Sequence, residues 1–140
     1  MIVLDTNVVS ELVRPTPNQA VIEWVDAYDS SDLVITALTA AEVRAGVALL
    51  PRGRRKHDVA LRMESLLLQT FAGRVLAFDI DASAHYAEIL AARRRFGQPI
   101  SAFDAQIAAV CRQYESALAT RNTADFTDTG IQLINPWDAP

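Results

Sequence analysis

The sequence predicts a doubly wound α/β domain with a mostly parallel central sheet. Short apolar runs alternate with amphipathic stretches from one end of the chain to the other. Runs such as Ile2-Val3-Leu4 and Leu33-Val34-Ile35 are apolar at consecutive positions, the pattern of strands covered by helices on both faces. Polar or acidic residues follow at once, as in Asp5-Thr6-Asn7 after the first run. In such a sheet ligands bind beyond the carboxyl ends of the strands, which is where Asp5 falls. No repeat, low-complexity tract or linker divides the chain, so one domain is expected over residues 1–140.

The elements follow in order. A first strand ends at Asp5, and Val8 to Leu12 form a short helix. Arg14 to Asn18 are polar punctuation, after which Val21, Ile22 and Val25 space a covering helix up to Tyr28. Asp29 to Asp32 turn into a second strand at Leu33-Val34-Ile35. The next helix starts at Thr39-Ala40-Ala41-Glu42, which has the layout of a capping box, and stops at Pro51. A longer amphipathic helix runs from Arg54 to Phe71, with an apolar surplus that suits the core or a second copy. Arg74 to Phe78 read as a third strand, and Asp81 as the cap of a helix reaching the Arg93 to Arg95 run. Gly97-Gln98-Pro99 is a loop, and Ser101 begins a strongly apolar helix to Tyr114. Ala117 to Thr120 make a fourth strand, Asn122 to Phe126 a helical turn, and Ile131 to Ile134 a final strand.

Composition narrows the function. Half of the residues are hydrophobic (51%), enough for a core without staples. Cys111, the single cysteine, sits in an apolar helical pattern and is expected to pack the core of a protein from a reducing compartment. No apolar run approaches bilayer length and the first residues are already strand, so a cytoplasmic protein with no membrane association is expected. A net charge of −4 argues against a general electrostatic nucleic-acid binder without excluding a nuclease. Among 13 basic residues Lys56 is the only lysine, and Arg is the better bidentate partner for phosphate. Most of the arginines in the Arg52 to Lys56 and Arg93 to Arg95 runs read as a solvated helix face.

The acids carry the functional signal. Thr39-x-x-Glu42, Ser101-x-x-Asp104 and Asn122-x-x-Asp125 all have capping-box layout, so each acid has a purely structural reading. Helices that follow parallel strands start on one side of the sheet, however, which gathers Asp5, Glu42 and Asp125 at one edge. Asp104 joins them if its helix starts there too. Carboxylates about 5 Å apart repel by about 3 kcal/mol per pair at an effective dielectric near 20, so such a cluster calls for a cation. Magnesium suits hard oxygen ligands, while His57, His85 and Cys111 offer no zinc set. Walker, dinucleotide and nucleophile-elbow signatures are missing. A haloacid dehalogenase-type phosphatase would need an Asp where Asn7 stands, and a receiver-like domain a Lys that Lys56 is too early to supply.

Leu4-Asp5-Thr6-Asn7 with Ser10-Glu11, Ala41-Glu42-Val43-Arg44-Ala45-Gly46, Asp104-Ala105-Gln106-Ile107-Ala108-Ala109, Ala119-Thr120-Arg121-Asn122-Thr123 with Asp125-Phe126, and Ile134-Asn135-Pro136-Trp137 occur in this order. Over essentially its whole length the chain thereby resembles PIN-domain nucleases, specifically VapC toxins of the FitB-like branch. The resemblance implies a three-layer α/β/α domain and a metal-dependent endoribonuclease using Mg²⁺ or Mn²⁺. It implies catalytic roles for Asp5, Glu42, Asp104 and Asp125, with Asp5 and Asp104 as principal metal ligands and Glu42 completing the shell. Asp125 is the least regular of the four, since Asn122 occupies a nearby position where a carboxylate could have stood. Thr6, Thr120 and Asn122 would orient the carboxylates or water, and Arg121, Arg44 and Arg52 are candidates for RNA contact. A VapB/FitA-like antitoxin, a homodimer and cleavage at single-stranded RNA segments, often in structured RNA such as tRNA or rRNA, are also implied. The alternative is a catalytically silent PIN-like module that binds RNA or a partner, its acids serving as caps.

Overall fold

The structure, a computed structural model, describes residues 1–138; residues 139–140 of the expected domain lie outside the described residues. Five strands, β1 (Ile2–Leu4), β2 (Leu33–Thr36), β3 (Val75–Leu76), β4 (Ala117–Ala119) and β5 (Leu133–Ile134), form one sheet in the order β3-β2-β1-β4-β5. Every neighbouring pair is parallel. Among the described residues six α-helices accompany them: α1 (Thr6–Leu12), α2 (Gln19–Asp26), α3 (Ala37–Ala48), α4 (Arg54–Ser65), α5 (Ile80–Arg95) and α6 (Ala102–Gln113).

Strand alternation sorts the core into two layers. Ile2, Leu4, Leu33 and Ile35 meet Val8, Val9, Val21, Trp24, Met63 and Phe71 on one face. Val3, Val34 and Leu118 meet Ile89, Ile107, Ala108, Cys111 and Phe126 on the other. Cys111 is buried in that second layer, as its helical pattern predicts, and desolvation pushes its thiol up to about 12. No helix among the described residues is long and apolar enough to cross a membrane.

The chain runs outward from β1 through β2 to β3, then crosses back to lay β4 against the other side of β1. The strand order therefore reverses between β1 and β4, opening a crevice at their carboxyl ends. Asp5 follows β1 and Thr120 follows β4, so the two face each other across this switch point.

Several local details differ from expectation. The cap of α3 is Thr36, which accepts from the Thr39 amide at 3.1 Å, so Thr39 lies inside the helix. Asp79, not Asp81, caps α5 by accepting from the Ala82 amide. The long helix expected over 54–71 is α-helical only to Ser65; a π-helical segment, Leu66–Thr70, follows and turns Leu67 inward while leaving Leu68 exposed. β3 and β5 keep only two paired residues each, as edge strands with one neighbour. Arg93 is 5% exposed and does not share the solvated face assigned to its run.

Candidate active site at the sheet's switch point

Asp5 is both a helix cap and the buried centre of the site. It is 5% exposed, and its Oδ1 accepts from the Thr6 amide at 2.8 Å. Oδ2 accepts from the Thr120 hydroxyl at 2.8 Å and from Asn7 Nδ2 at 3.2 Å. Thr120 Oγ1 in turn accepts from Asn7 Nδ2 and from the Asn122 amide at 3.0 Å. Asn7 Oδ1 accepts the Arg121 amide at 3.0 Å, which stitches the loop after β4 to the start of α1.

The other acids converge from three elements. Glu42, on α3, accepts from the Thr6 hydroxyl at 3.1 Å. Asp104 stands in the first turn of α6, where Ser101 caps by accepting the Asp104 amide at 3.2 Å. Asp125 lies in a 3₁₀ turn, Thr123–Phe126, directly after the β4 loop. Burial raises the Asp5 carboxyl above the ordinary range against its hydrogen bonds, and the charge of Asp125 adds to the rise. Desolvation likewise raises Glu42, with Asp5 and Asp104 contributing repulsion. Asp104 is raised first by desolvation and then by Asp5 and Asp125. Asp5, Glu42 and Asp104 thus each feel at least one other acid, Asp125 acts on two of them, and the start of α6 lies at the same sheet edge as the strand ends.

This geometry weakens the reading of the acids as caps. Glu42 sits well inside α3, beyond reach of its cap, and Asn122 makes no side-chain cap bond to complete a box with Asp125. Of these four acids, only Asp5 makes a side-chain capping bond among the described residues, and it spends one oxygen on it.

A hard divalent cation fits this donor set. The contributions are carboxylate oxygens raised by burial and mutual repulsion, both of which a cation relieves. Among the described residues, no three acidic, histidine or cysteine side chains converge tightly enough to ligate one ion together. The fit is therefore to an ion held by one or two carboxylates with waters completing its shell, the habit of Mg²⁺.

A groove of about 820 Å³ meets the site at Thr6 and Glu42. Val43, Val47, Leu50 and Met63 line it with apolar surface, and Arg54, Arg55 and Arg62 of α4 add positive charge. Of the arginines singled out from sequence, Arg121 stacks over Trp137 at 5.1 Å beside the site, while Arg44 is held bidentately by Glu64 at 2.8 and 2.9 Å. Arg52 is exposed in the turn before α4 and does not line the groove. Asn122 contributes its backbone amide to Thr120 Oγ1, and Asn7, two residues after Asp5, adds a bond to Asp5 that sequence reasoning did not assign.

Carboxylates gathered at the switch point of a parallel α/β sheet, beside a groove carrying positive charge, define a candidate metal-assisted phosphodiester hydrolase. The sequence matches the PIN domain family over residues 2–131, and the chain belongs to that family. Toxin FitB of Neisseria gonorrhoeae is 43% identical over 98% of this chain and 99% of its own length. The VapC ribonuclease Y4jK of Sinorhizobium fredii is 44% identical over 99% of each. A solved structure of FitAB bound to a DNA fragment contains a chain that superimposes with a TM-score of 0.92 at 43% identity, covering 100% of this chain and 98% of that one.

Proposed function

We propose that the protein is a divalent-metal-dependent endoribonuclease, one domain over residues 1–140, that serves as the toxin of a type II toxin–antitoxin module in the cytoplasm. The observation that carries this reading is Asp5, buried at the switch point and hydrogen-bonded on both oxygens, with the charge of Asp125 acting on it and its own charge acting on Glu42 and Asp104. The toxin and ribonuclease relatives support it across nearly the full chain. Asp5 and Asp104 would be the principal ligands of Mg²⁺ or Mn²⁺, Glu42 would complete the shell through water, and Asp125 would be the fourth acid. When bound, the cation acidifies a water and offsets the charge that builds on the phosphate during in-line attack.

The chain's own groups do the positioning. Thr120 and Asn7 fix the rotamer of Asp5, and Thr6 holds Glu42. Arg121 meets the RNA backbone at the site and Arg54, Arg55 and Arg62 meet it along the groove, while Arg44 contributes only on leaving Glu64. The products carry a 5′ phosphate and a 3′ hydroxyl. A VapB/FitA-like antitoxin covers the groove, and a homodimer draws on exposed apolar surface such as Leu61 and Leu68. The substrate is a single-stranded segment of RNA, within a structured RNA of the tRNA or rRNA kind.

Cleavage of a mixed RNA pool by the purified chain tests this, with Mg²⁺ or Mn²⁺, with EDTA, and with Asp5→Asn. Metal-dependent cuts bearing 5′ phosphates and missing in the variant are expected. Cleavage that survives either EDTA or Asp5→Asn would sink the assignment.

A further inference from the structure

Arg93 is a buried cation that makes no ion pair among the described residues. It projects from the last turn of α5, and its guanidinium donates only to oxygens of two loops. Nε donates to the Gln98 carbonyl at 2.6 Å and Nη2 to the Pro99 carbonyl at 3.5 Å. Nη1 donates to the carbonyl of Thr127 and, at 3.5 Å, to its hydroxyl.

Those two loops present two of the acids. Gln98 and Pro99 lie just before Ser101, which caps α6 and sets the first turn carrying Asp104. Thr127 closes the 3₁₀ turn that carries Asp125. One planar fork therefore ties the chain entering the Asp104 helix to the chain leaving the Asp125 turn. A guanidinium suits this: it offers five donors in a fixed plane and stays charged when buried. Packing alone would be met by an apolar side chain, without the need to satisfy a charge on carbonyls. Its positive field also reaches Asp104, where it opposes the repulsion from Asp5 and Asp125.

We propose that Arg93 is a positioning residue for the metal centre: by bracing the 97–99 loop against Thr127 it sets the separation of the Asp104 and Asp125 carboxylates. The inference rests on the metal-dependent nuclease reading. At 5% exposure Arg93 does not meet RNA, so its effect falls on metal affinity and turnover and leaves KM for RNA alone.

Calorimetric titration with Mn²⁺ alone, beside kcat and KM for RNA cleavage, tests the brace in Arg93→Met and Arg93→Lys. Each assay is run well below the variant's Tm. Met removes fork and charge; Lys keeps the charge and cannot span both loops. We expect Arg93→Met to lose about 10–100-fold in Mn²⁺ affinity and kcat, the usual cost of removing an outer support of a metal site, with KM unchanged and Arg93→Lys falling between it and wild type. Should Arg93→Met fail to fold, a loss of about tenfold in Arg93→Lys carries the same weight. A lowered Tm with wild-type Mn²⁺ affinity and kcat in the folded variants makes Arg93 a purely structural staple and overturns the proposal, leaving the nuclease reading intact. A wild-type chain that neither binds Mn²⁺ nor cuts RNA overturns both.

Discussion

Asp104 is half-buried, faces like charges from Asp5 and Asp125, and makes no ion pair among the described residues. Its charge costs the fold stability when no cation is bound. Asp104→Asn removes that charge at constant shape, so it should abolish cleavage and yet raise Tm in EDTA. Thermal melts of the two proteins in chelator measure this directly; a lowered Tm in the variant contradicts it. Asn7 makes a separate prediction. It bridges Asp5, Thr120 and the Arg121 amide, so Asn7→Ala should lower cleavage by about 10–100-fold without unfolding the chain. Single-turnover rates beside a circular dichroism melt check it, and an unchanged rate means that Thr120 suffices to hold Asp5.

At the scale of the element, Glu42 is placed by the start of α3. Thr36 ends β2 and caps α3 while fully buried, so Thr36→Val removes a cap and strands the Thr39 amide. A loss of about 1–2 kcal/mol in urea unfolding is expected; a variant as stable as wild type would show that another group satisfies the Thr39 amide. The same helix marks what local pattern could and could not reveal. That a helix follows the second strand is written in the switch from consecutive to helical apolar spacing. Which of two threonines three residues apart caps it depends on how far β2 stays paired with β3, a tertiary fact. The paired length of β3, the π-helical segment after Ser65 and the choice of Asp79 over Asp81 are hidden for the same reason. Asp5 and Asp104 were legible because one follows a strand and the other opens a helix, whereas Glu42 was legible only as part of the helix that follows the second strand. Arg93 was not, because a basic run gives no sign of which member turns inward.

Across the whole molecule the acids act together through one field. Asp5, Glu42 and Asp104 all have folded pKa values above their ordinary ones, so the folded chain binds their protons more tightly than the unfolded chain does. Their contribution to stability is therefore most favourable below the ordinary carboxyl range and declines as pH rises through that range to the raised values. The Tm advantage of Asp104→Asn over wild type in EDTA should grow from about pH 4 towards neutrality, and saturating Mg²⁺ should reverse it by stabilising only the wild type. Paired melts across pH, with and without Mg²⁺, give the sign; an advantage that shrinks as pH rises contradicts it. The central claim is that the switch-point carboxylates hold the divalent cation on which RNA cleavage depends. Its most direct test is an Mn²⁺ titration, followed by electron paramagnetic resonance near neutral pH, of the wild-type chain and of the chain carrying both Asp5→Asn and Asp104→Asn. Saturable binding by the wild type that the double variant loses is the predicted result. Binding unchanged in the double variant, or absent from the folded wild type, would contradict it.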